Sequence, residues 1–292
     1  MFRSTGPIVT AVRLDESATE VLRQAVEIAR HYSVKLYVCH VLPDLMAVRP
    51  LFPQLQLDNA FRSAEFEAEA RQMLAARAGA FINPESEDCE ILIEYGTEHA
   101  AIIRVAERVG AGLIVVGHGS HEQTLSGISE RVVRYAHCPV LVARPSRKGC
   151  VLAATDFSDP AAPAIHAASS EAKRRGRDLH IIHAFEIMRF SLAPGSMETL
   201  PNLPPPDVCD EMQKALQKRM DSIVREFSAK SGLVVREAAD TAILDAAADL
   251  PADLVVVGTH GRTGLSRIAL GSVAEAVVRG APCSVLVVRM NA

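Results

Sequence analysis

No stretch of this 292-residue chain reaches the ~18 consecutive apolar residues that mark a membrane-spanning helix. The N-terminus, Met1-Phe-Arg-Ser-Thr-Gly-Pro7, lacks the apolar core of a secretory signal and leads straight toward a strand. No basic tract is present and the formal net charge is −4. Nucleic-acid binding usually requires a clustered basic face, so that class of partner is not expected. The six cysteines, Cys39, Cys89, Cys138, Cys150, Cys209 and Cys283, include no C-x-x-C pair. Cys39, Cys138 and Cys283 lie in or beside apolar runs, which predicts buried, reduced thiols and a cytoplasmic setting. What the chain does have is apolar mass: 49% hydrophobic residues supply a large core, and the length suits about two domains.

The chain repeats itself. Leu36-Tyr-Val-Cys-His40-Val41 matches Leu179-His-Ile-Ile-His183-Ala184, and Leu113-Ile-Val-Val-Gly117 matches Leu254-Val-Val-Val-Gly258. Cys138-Pro-Val-Leu-Val142 matches Cys283-Ser-Val-Leu-Val287. A period near half the chain means two homologous domains rather than a solenoid. The joint falls at Pro145-Ser-Arg-Lys-Gly149, which divides the chain into 1–146 and 147–292.

Each half alternates strand and helix. In the second, Val151–Thr155 reads as a strand and Ala161–Arg175 as a helix with a basic last turn and a stop at Gly176. Leu179–Phe185 reads as a strand, Val208–Gly232 as a long helix, Leu233–Val235 as a strand and Thr241–Leu250 as a helix. Apolar strands without polar alternation, separated by helices, argue for two doubly wound parallel-sheet α/β domains. The proline-rich segment 193–206 and its counterpart 48–58 depart from this pattern and read as long surface loops.

The densest pattern is Gly258-Thr-His-Gly-Arg-Thr-Gly-Leu-Ser-Arg-Ile-Ala-Leu-Gly-Ser272. It follows the apolar run Leu254–Val257 and precedes the short helix expected at Val273–Arg279. Strand, glycine loop and helix start together make a phosphate cradle, because glycines let backbone N–H groups approach an anion and the helix terminus adds partial positive charge. In a doubly wound sheet of order 3-2-1-4-5, the ligand crevice opens between the first and fourth strands. Thr155-Asp156, Ala184 and Gly258 end three neighbouring strands there, and an aspartate can accept hydrogen bonds from a base or ribose. Asp156 also has a plain reading as a helix-entry residue. Ser272-x-x-Glu275 doubles as a helix capping box. His183 is expected to be structural, while His260, inside the loop, is open to ligand contact or to simple exposure. His118 and His121, with Glu122, could suggest a metal site, but spacing fixes no third ligand and none is expected there.

These residues resemble the universal stress protein family in its tandem form. The resemblance covers nearly the whole chain and rests on Gly258-x2-Gly261-x9-Gly271-Ser272 and on Leu152-Ala-Ala-Thr-Asp156-Phe-Ser158. It implies two domains of the adenine nucleotide alpha hydrolase type, with strand order 3-2-1-4-5. It further implies an ATP-binding regulatory protein of the stress response, with Mg2+ accompanying the nucleotide. Thr155, Asp156 and Ala184 would hold the adenosine. Gly258, Gly261, Arg262, Gly271, Ser272 and Val273, with His260 alongside, would surround ribose and phosphates. Nucleotide occupancy would alter the proline-rich loops and so the choice of an unnamed protein partner. With no Gly-Lys-Ser/Thr P-loop and no evident base, any ATP hydrolysis is expected to be slow. A scaffold that binds no nucleotide is the other alternative.

The first half departs from the motif. Its loop, Gly117-His-Gly-Ser120 through Ser126-Gly127, is four residues shorter, Ser120 replaces Gly261, and Arg13 stands where Asp156 does. One nucleotide site, in the second domain, is therefore expected. Val140–Val142 and Val285–Val287 would each leave an apolar sheet edge, so the two edges are expected to pair antiparallel as an internal pseudo-dimer, as dimers of single-domain relatives do. A homodimer of the tandem chain remains open. A proline at Leu286 is expected to disrupt the internal pairing.

Overall fold

The computed structural model describes residues 6–15, 18–43, 64–118, 127–186, 206–259 and 270–289. The first half contains strands β1 (Ile8–Ala11), β2 (Leu36–Leu42), β3 (Cys89–Tyr95), β4 (Leu113–Gly117) and β5 (Val140–Ala143). Between them run helices α1 (Ala18–Tyr32), α2 (Ala64–Gly79), α3 (Glu98–Val109) and α4 (Ile128–Tyr135). The second half repeats this with β6 (Val151–Ala154), a 3-10 turn (Asp159–Ala161), α5 (Ala162–Arg175), β7 (Leu179–Ala184), α6 (Pro206–Phe227), β8 (Ser231–Val235), α7 (Ala239–Asp249), β9 (Leu254–Gly258), α8 (Ser272–Gly280) and β10 (Ser284–Val288). The expected Gly176 stop is present: it caps α5 in the left-handed conformation, as Gly110 caps α3.

All ten strands form one sheet in the order β3-β2-β1-β4-β5-β10-β9-β6-β7-β8. Each half therefore has the 3-2-1-4-5 order. Within each half every pairing is parallel, and the halves meet through the antiparallel pair β5 and β10. The register sets Val285 opposite Val142, Leu286 opposite Leu141 and Val287 opposite Val140. The expected edge pairing is what the fold uses, and no apolar edge is left at the seam. Successive residues point to opposite faces, so Val151 and Ala153 join one core and Leu152 the other. Both cores run across the seam without a break: Leu141 and Leu286 share one, and Val140, Val142, Val285 and Val287 share the other.

The seam is locked reciprocally. Buried Arg144, just past β5, donates to the carbonyls of Val278 (2.6 Å) and Cys283 (3.2 Å). Arg289, just past β10, donates to those of Val133 (3.0 Å) and Arg134 (2.5 Å). Each arginine thus satisfies carbonyls at the C-terminal end of the other half's helix, where the helix dipole also favours a cation. Arg134–Glu275 (2.9 Å) and Arg279–Glu130 (3.1 Å) repeat the reciprocity on the surface above.

Hydrogen-bond alternation corrects the role expected of Leu286. Thr259 N–H bonds the Val288 carbonyl, so Val288, and with it Leu286, turns its backbone groups toward β9. Ile114 N–H bonds the Pro139 carbonyl, so Leu141 likewise turns toward β4. The seam bonds therefore belong to Val285 and Val287 with Val142 and Val140. A proline at Leu286 would strike the second domain's own ladder. A second correction concerns α6, which ends at Phe227 rather than at Gly232. Ser228 adopts a left-handed φ of 51° and breaks the helix, and Gly232 lies in β8. A Cβ on Gly232 would stand 2.3 Å from Met220 Cγ, so this glycine makes room for the fully buried Met220.

Candidate functional site

β6 lies between β9 and β7, so the C-terminal ends of these three strands stand side by side. Ala154 ends β6 and is followed by Thr155 and Asp156. Ala184 ends β7 and Gly258 ends β9. Because β6 continues to β7 on one side while β9 flanks it on the other, the strand order reverses at β6, the position at which doubly wound sheets open a ligand crevice. Of the residues expected at the site, Thr155, Asp156, Ala184, Gly258, Gly271, Ser272 and Val273 are brought to this end of the sheet. His260, Gly261 and Arg262 lie outside the described residues.

The polypeptide leaves β9 at Thr259 and returns at Gly271, and Gly271 N–H donates to the Thr259 carbonyl at 2.9 Å. This bond ties both ends of the glycine loop together at the mouth of the crevice. Gly271 suits the closeness of that approach: a Cβ there would lie 3.1 Å from the Thr259 oxygen, so that the backbone would have to give by a few tenths of an ångström. Gly271 is also the N-cap of α8, with extended backbone angles, and Ser272 is the first helical residue. The expected capping box is not formed. The tether to Thr259 fixes where the helix begins, one residue earlier than a Ser272 cap requires. Glu275 turns instead to Arg134 and Arg279 across and along the seam. Ser272 is exposed at the N-terminus of α8, where the helix dipole favours an anion.

At the β6 end, the buried Thr155 accepts Phe157 N–H on its hydroxyl at 3.0 Å. The half-buried Asp156 accepts both Ser158 N–H (2.9 Å) and Ser158 Oγ–H (2.5 Å) on Oδ1. Asp156 therefore does shape the entry to α5, as its plainer reading has it, and the same bonds fix the plane of its carboxylate. His183 is buried, and its Nδ1 donates to the Thr155 carbonyl at 2.8 Å. Its structural role is as expected. The first half keeps this buttress in His40 Nδ1 against the Val12 carbonyl at 2.9 Å.

The first half's counterpart crevice is chemically different. Arg13 stands in the place of Asp156, half-exposed and paired with Asp15 at 3.3 Å. His118, in the place of Thr259, accepts from Arg144 Nη2 at 3.0 Å. Desolvation, then the Arg144 charge, hold the His118 imidazole below its ordinary value, against a smaller opposite pull from Glu130. Neutral Nδ1 is the acceptor this contact needs, since a guanidinium only donates. Among the described residues no group of three or more metal-ligating side chains converges.

All six cysteines are buried. Burial pushes the Cys39 and Cys138 thiols up to about 12 and Cys283 up to about 11, so these three are not thiolates near neutrality. No described helix is long and apolar enough to cross a membrane.

The model of the universal stress protein family matches this chain twice, over residues 5–144 and 150–289. The chain belongs to the universal stress protein family. It is 26% identical over 276 residues to a Mycobacterium tuberculosis universal stress protein, covering 89% of this chain and 88% of that one. A universal stress protein of Methanocaldococcus jannaschii is 36% identical over 138 residues, 46% of this chain and 78% of the relative. Among solved structures, a universal stress protein from Archaeoglobus fulgidus superposes with a TM-score of 0.62 at 18% identity, covering 99% of this chain and 98% of that one. A Pseudomonas aeruginosa protein of unknown function superposes with a TM-score of 0.67 at 20% identity, covering 97% and 92%. At such identities these superpositions establish the tandem fold alone.

Sequence reasoning missed two residues at this end of the sheet. Thr259 offers its backbone carbonyl rather than its side chain to close the loop, and a sequence carries no mark of that. Arg219, on α6, reaches the Phe157 carbonyl at 2.6 Å across 62 positions. In sequence it is one of several cations on an exposed helix face.

Proposed function

We propose that the second domain binds one adenine nucleotide, ATP with Mg2+, and that the first binds none, in a regulatory protein of the cytoplasmic stress response. Thr155, Asp156 and Ala184 form the adenosine end. Gly258, His260, Gly261, Arg262, Gly271, Ser272 and Val273 form the ribose and phosphate end. The reading is carried by the bond from Gly271 N–H to Thr259 O, which sets the N-terminus of α8 beside the ends of β9 and β6. A phosphate there would meet backbone N–H groups and the positive end of a helix, and no lysine is needed to bind it. In the first domain Arg13 replaces the acceptor Asp156 and the loop is four residues shorter, so neither end is complete. Nucleotide occupancy would be read out by a protein partner through the proline-rich segments 48–58 and 193–206, which lie largely outside the described residues.

Isothermal titration of the full chain with MgATP tests this. One site per chain is expected, abolished by Gly261→Val, in which a branched side chain fills phosphate space. Arg13→Asp alone should create no second site, because the shortened loop still leaves the phosphates uncradled. Two equivalent sites per chain, or normal affinity in a folded Gly261→Val variant, would overturn the assignment.

A further inference from the structure

Three non-glycine residues among those described have a left-handed φ: Ser33, Phe157 and Ser228. Ser33 and Ser228 follow the last residues of α1 and α6, where helices commonly end that way. Phe157 ends no helix. It directly follows Asp156 at the mouth of the crevice, with a φ of 62°, and a bulky aromatic residue in that region is strained. Such strain persists only where the surroundings over-determine it, and it concentrates at functional sites.

The surroundings of Phe157 do over-determine it. Its N–H is held by Thr155 Oγ1 at 3.0 Å and its carbonyl by Arg219 Nη2 at 2.6 Å. The residue is 6% exposed, and its ring lies 4.2 Å, centroid to centroid, from the His183 ring at a 35° tilt. The Arg219 guanidinium carbon stands 5.1 Å from the same ring centroid. His183 is itself fixed on the Thr155 carbonyl at 2.8 Å. A strand end, β7 and α6 thus converge on one residue, and the turn they hold is the one whose Asp156 Oδ1 is fixed by Ser158.

The first domain is an internal control. Its histidine buttress is intact in His40. Arg77 of α2 reaches the Leu14 and Asp15 carbonyls at 2.9 and 2.7 Å, much as Arg219 reaches that of Phe157. Yet Leu14 replaces Phe157 and has no left-handed φ. The half with an arginine at the aspartate position also lacks the strained aromatic turn. Generic support of a strand end is common to both halves, whereas the left-handed phenylalanine accompanies Asp156.

We propose that Phe157, clamped by His183 and Arg219, is a positioning residue that fixes the direction of the Asp156 carboxylate toward the nucleoside end of the ligand. Arg219 makes α6 part of the same device. This inference rests on the adenine-nucleotide reading above. The carboxylate accepts a hydrogen bond, whose donor is either the exocyclic amine of the base or a ribose hydroxyl.

The test uses the full chain titrated with ATP, GTP and 2′-deoxy-ATP. Arg219→Ala alters an exposed helix residue. Phe157→Gly permits the left-handed turn but no longer enforces it. Both variants should lose ATP affinity by about tenfold, the scale of one charge-assisted hydrogen bond. The preference for ATP over GTP, if the donor is the base, or over 2′-deoxy-ATP, if it is the ribose, should fall by a similar factor. A merely structural role would lower affinity for all three nucleotides together and leave both ratios unchanged. Unchanged ratios in folded variants, or a wild-type chain that discriminates against neither competitor, would overturn the proposal. If Phe157→Gly does not fold, Arg219→Ala decides alone. A wild-type chain that binds none of the three would instead overturn the nucleotide reading itself.

Discussion

Two prolines at adjacent positions of β10 should have different consequences. Val287 turns its backbone toward β5 of the other half and Leu286 turns its own toward β9, because Thr259 N–H occupies the Val288 carbonyl and the direction alternates along the strand. Val287→Pro removes the N–H aimed at Val140 and leaves that buried carbonyl unpaired, at a cost of roughly 1–3 kcal/mol. The ring also pushes Val140 and its neighbours away from the strand, so a total of about 3 kcal/mol is expected, placed almost wholly on the seam. At 1.4 kcal/mol per factor of ten, the population with the halves apart rises about a hundredfold. The joint supplies the assay. Arg147 and Lys148 are exposed, but Ser146 Oγ and Arg147 N–H are both pinned to Asp253 Oδ1 at 2.9 Å. Tryptic cleavage there should therefore accelerate by about two orders of magnitude in Val287→Pro, in the regime where cleavage tracks the open population. Each half should keep its helical signal. Leu286→Pro should instead unfold the second half, with new cleavage in α5 to α8. Equal cleavage of wild type and Val287→Pro, or the same fragment pattern for both prolines, would refute the assignment of seam bonds.

Three further outcomes follow from the packing. Glu130→Arg and Arg279→Glu should each loosen the seam slightly while the double exchange restores it, with a small favourable coupling in a double-mutant cycle because Arg279 is exposed; zero coupling would make the contact ornamental. Burial pushes the Glu171 carboxyl up, but Arg174 and Arg175 outweigh it and leave the group below its ordinary 4.5. The unfolded chain thus binds this proton more readily, so the stabilisation is full above 4.5 and is lost as pH falls through the lower folded value. Denaturant midpoints at successive acidic pH values should fall less steeply in Glu171→Gln than in wild type, and parallel slopes would count against the ion cluster. At the joint, a Cβ on Gly149 would lie 1.5 Å from the Pro251 carbonyl oxygen. Since that obstacle is backbone, Gly149→Ala should cost at least the upper part of the roughly 1–3 kcal/mol typical of overpacking. A denaturation midpoint equal to wild type would show that the joint can shift freely.

The sequence by itself determined the repeat and the alternation of strand and helix, both written in local composition. The strand order came from the family resemblance, and with it the need to cover two apolar edges. Leu254–Val257 is apolar without alternation because both faces of β9 are buried, and Val140–Val142 and Val285–Val287 match because they do the same work in two copies. The stop at Gly176 was equally legible, since a left-handed cap favours glycine. The strand-end cluster Thr155, Asp156, Ala184 and Gly258 also followed from strand order alone. Tertiary structure decided what depends on contacts between distant residues. Ser272 does not cap α8, because the Thr259 carbonyl captures Gly271 and starts the helix one residue earlier. α6 stops at Phe227, and Gly232 lies in a strand beside Met220, which fills the space a side chain there would need. Arg144 and Arg289 read as ordinary charges after a strand, yet each caps a helix in the opposite half, 134 and 155 positions away. Phe157 reads as one apolar residue among many until Arg219 and His183 close on it in a left-handed turn. Local patterns specify which elements form and which faces they bury. Which backbone groups and charges then meet is fixed only when two copies of one domain pack against each other across a shared sheet.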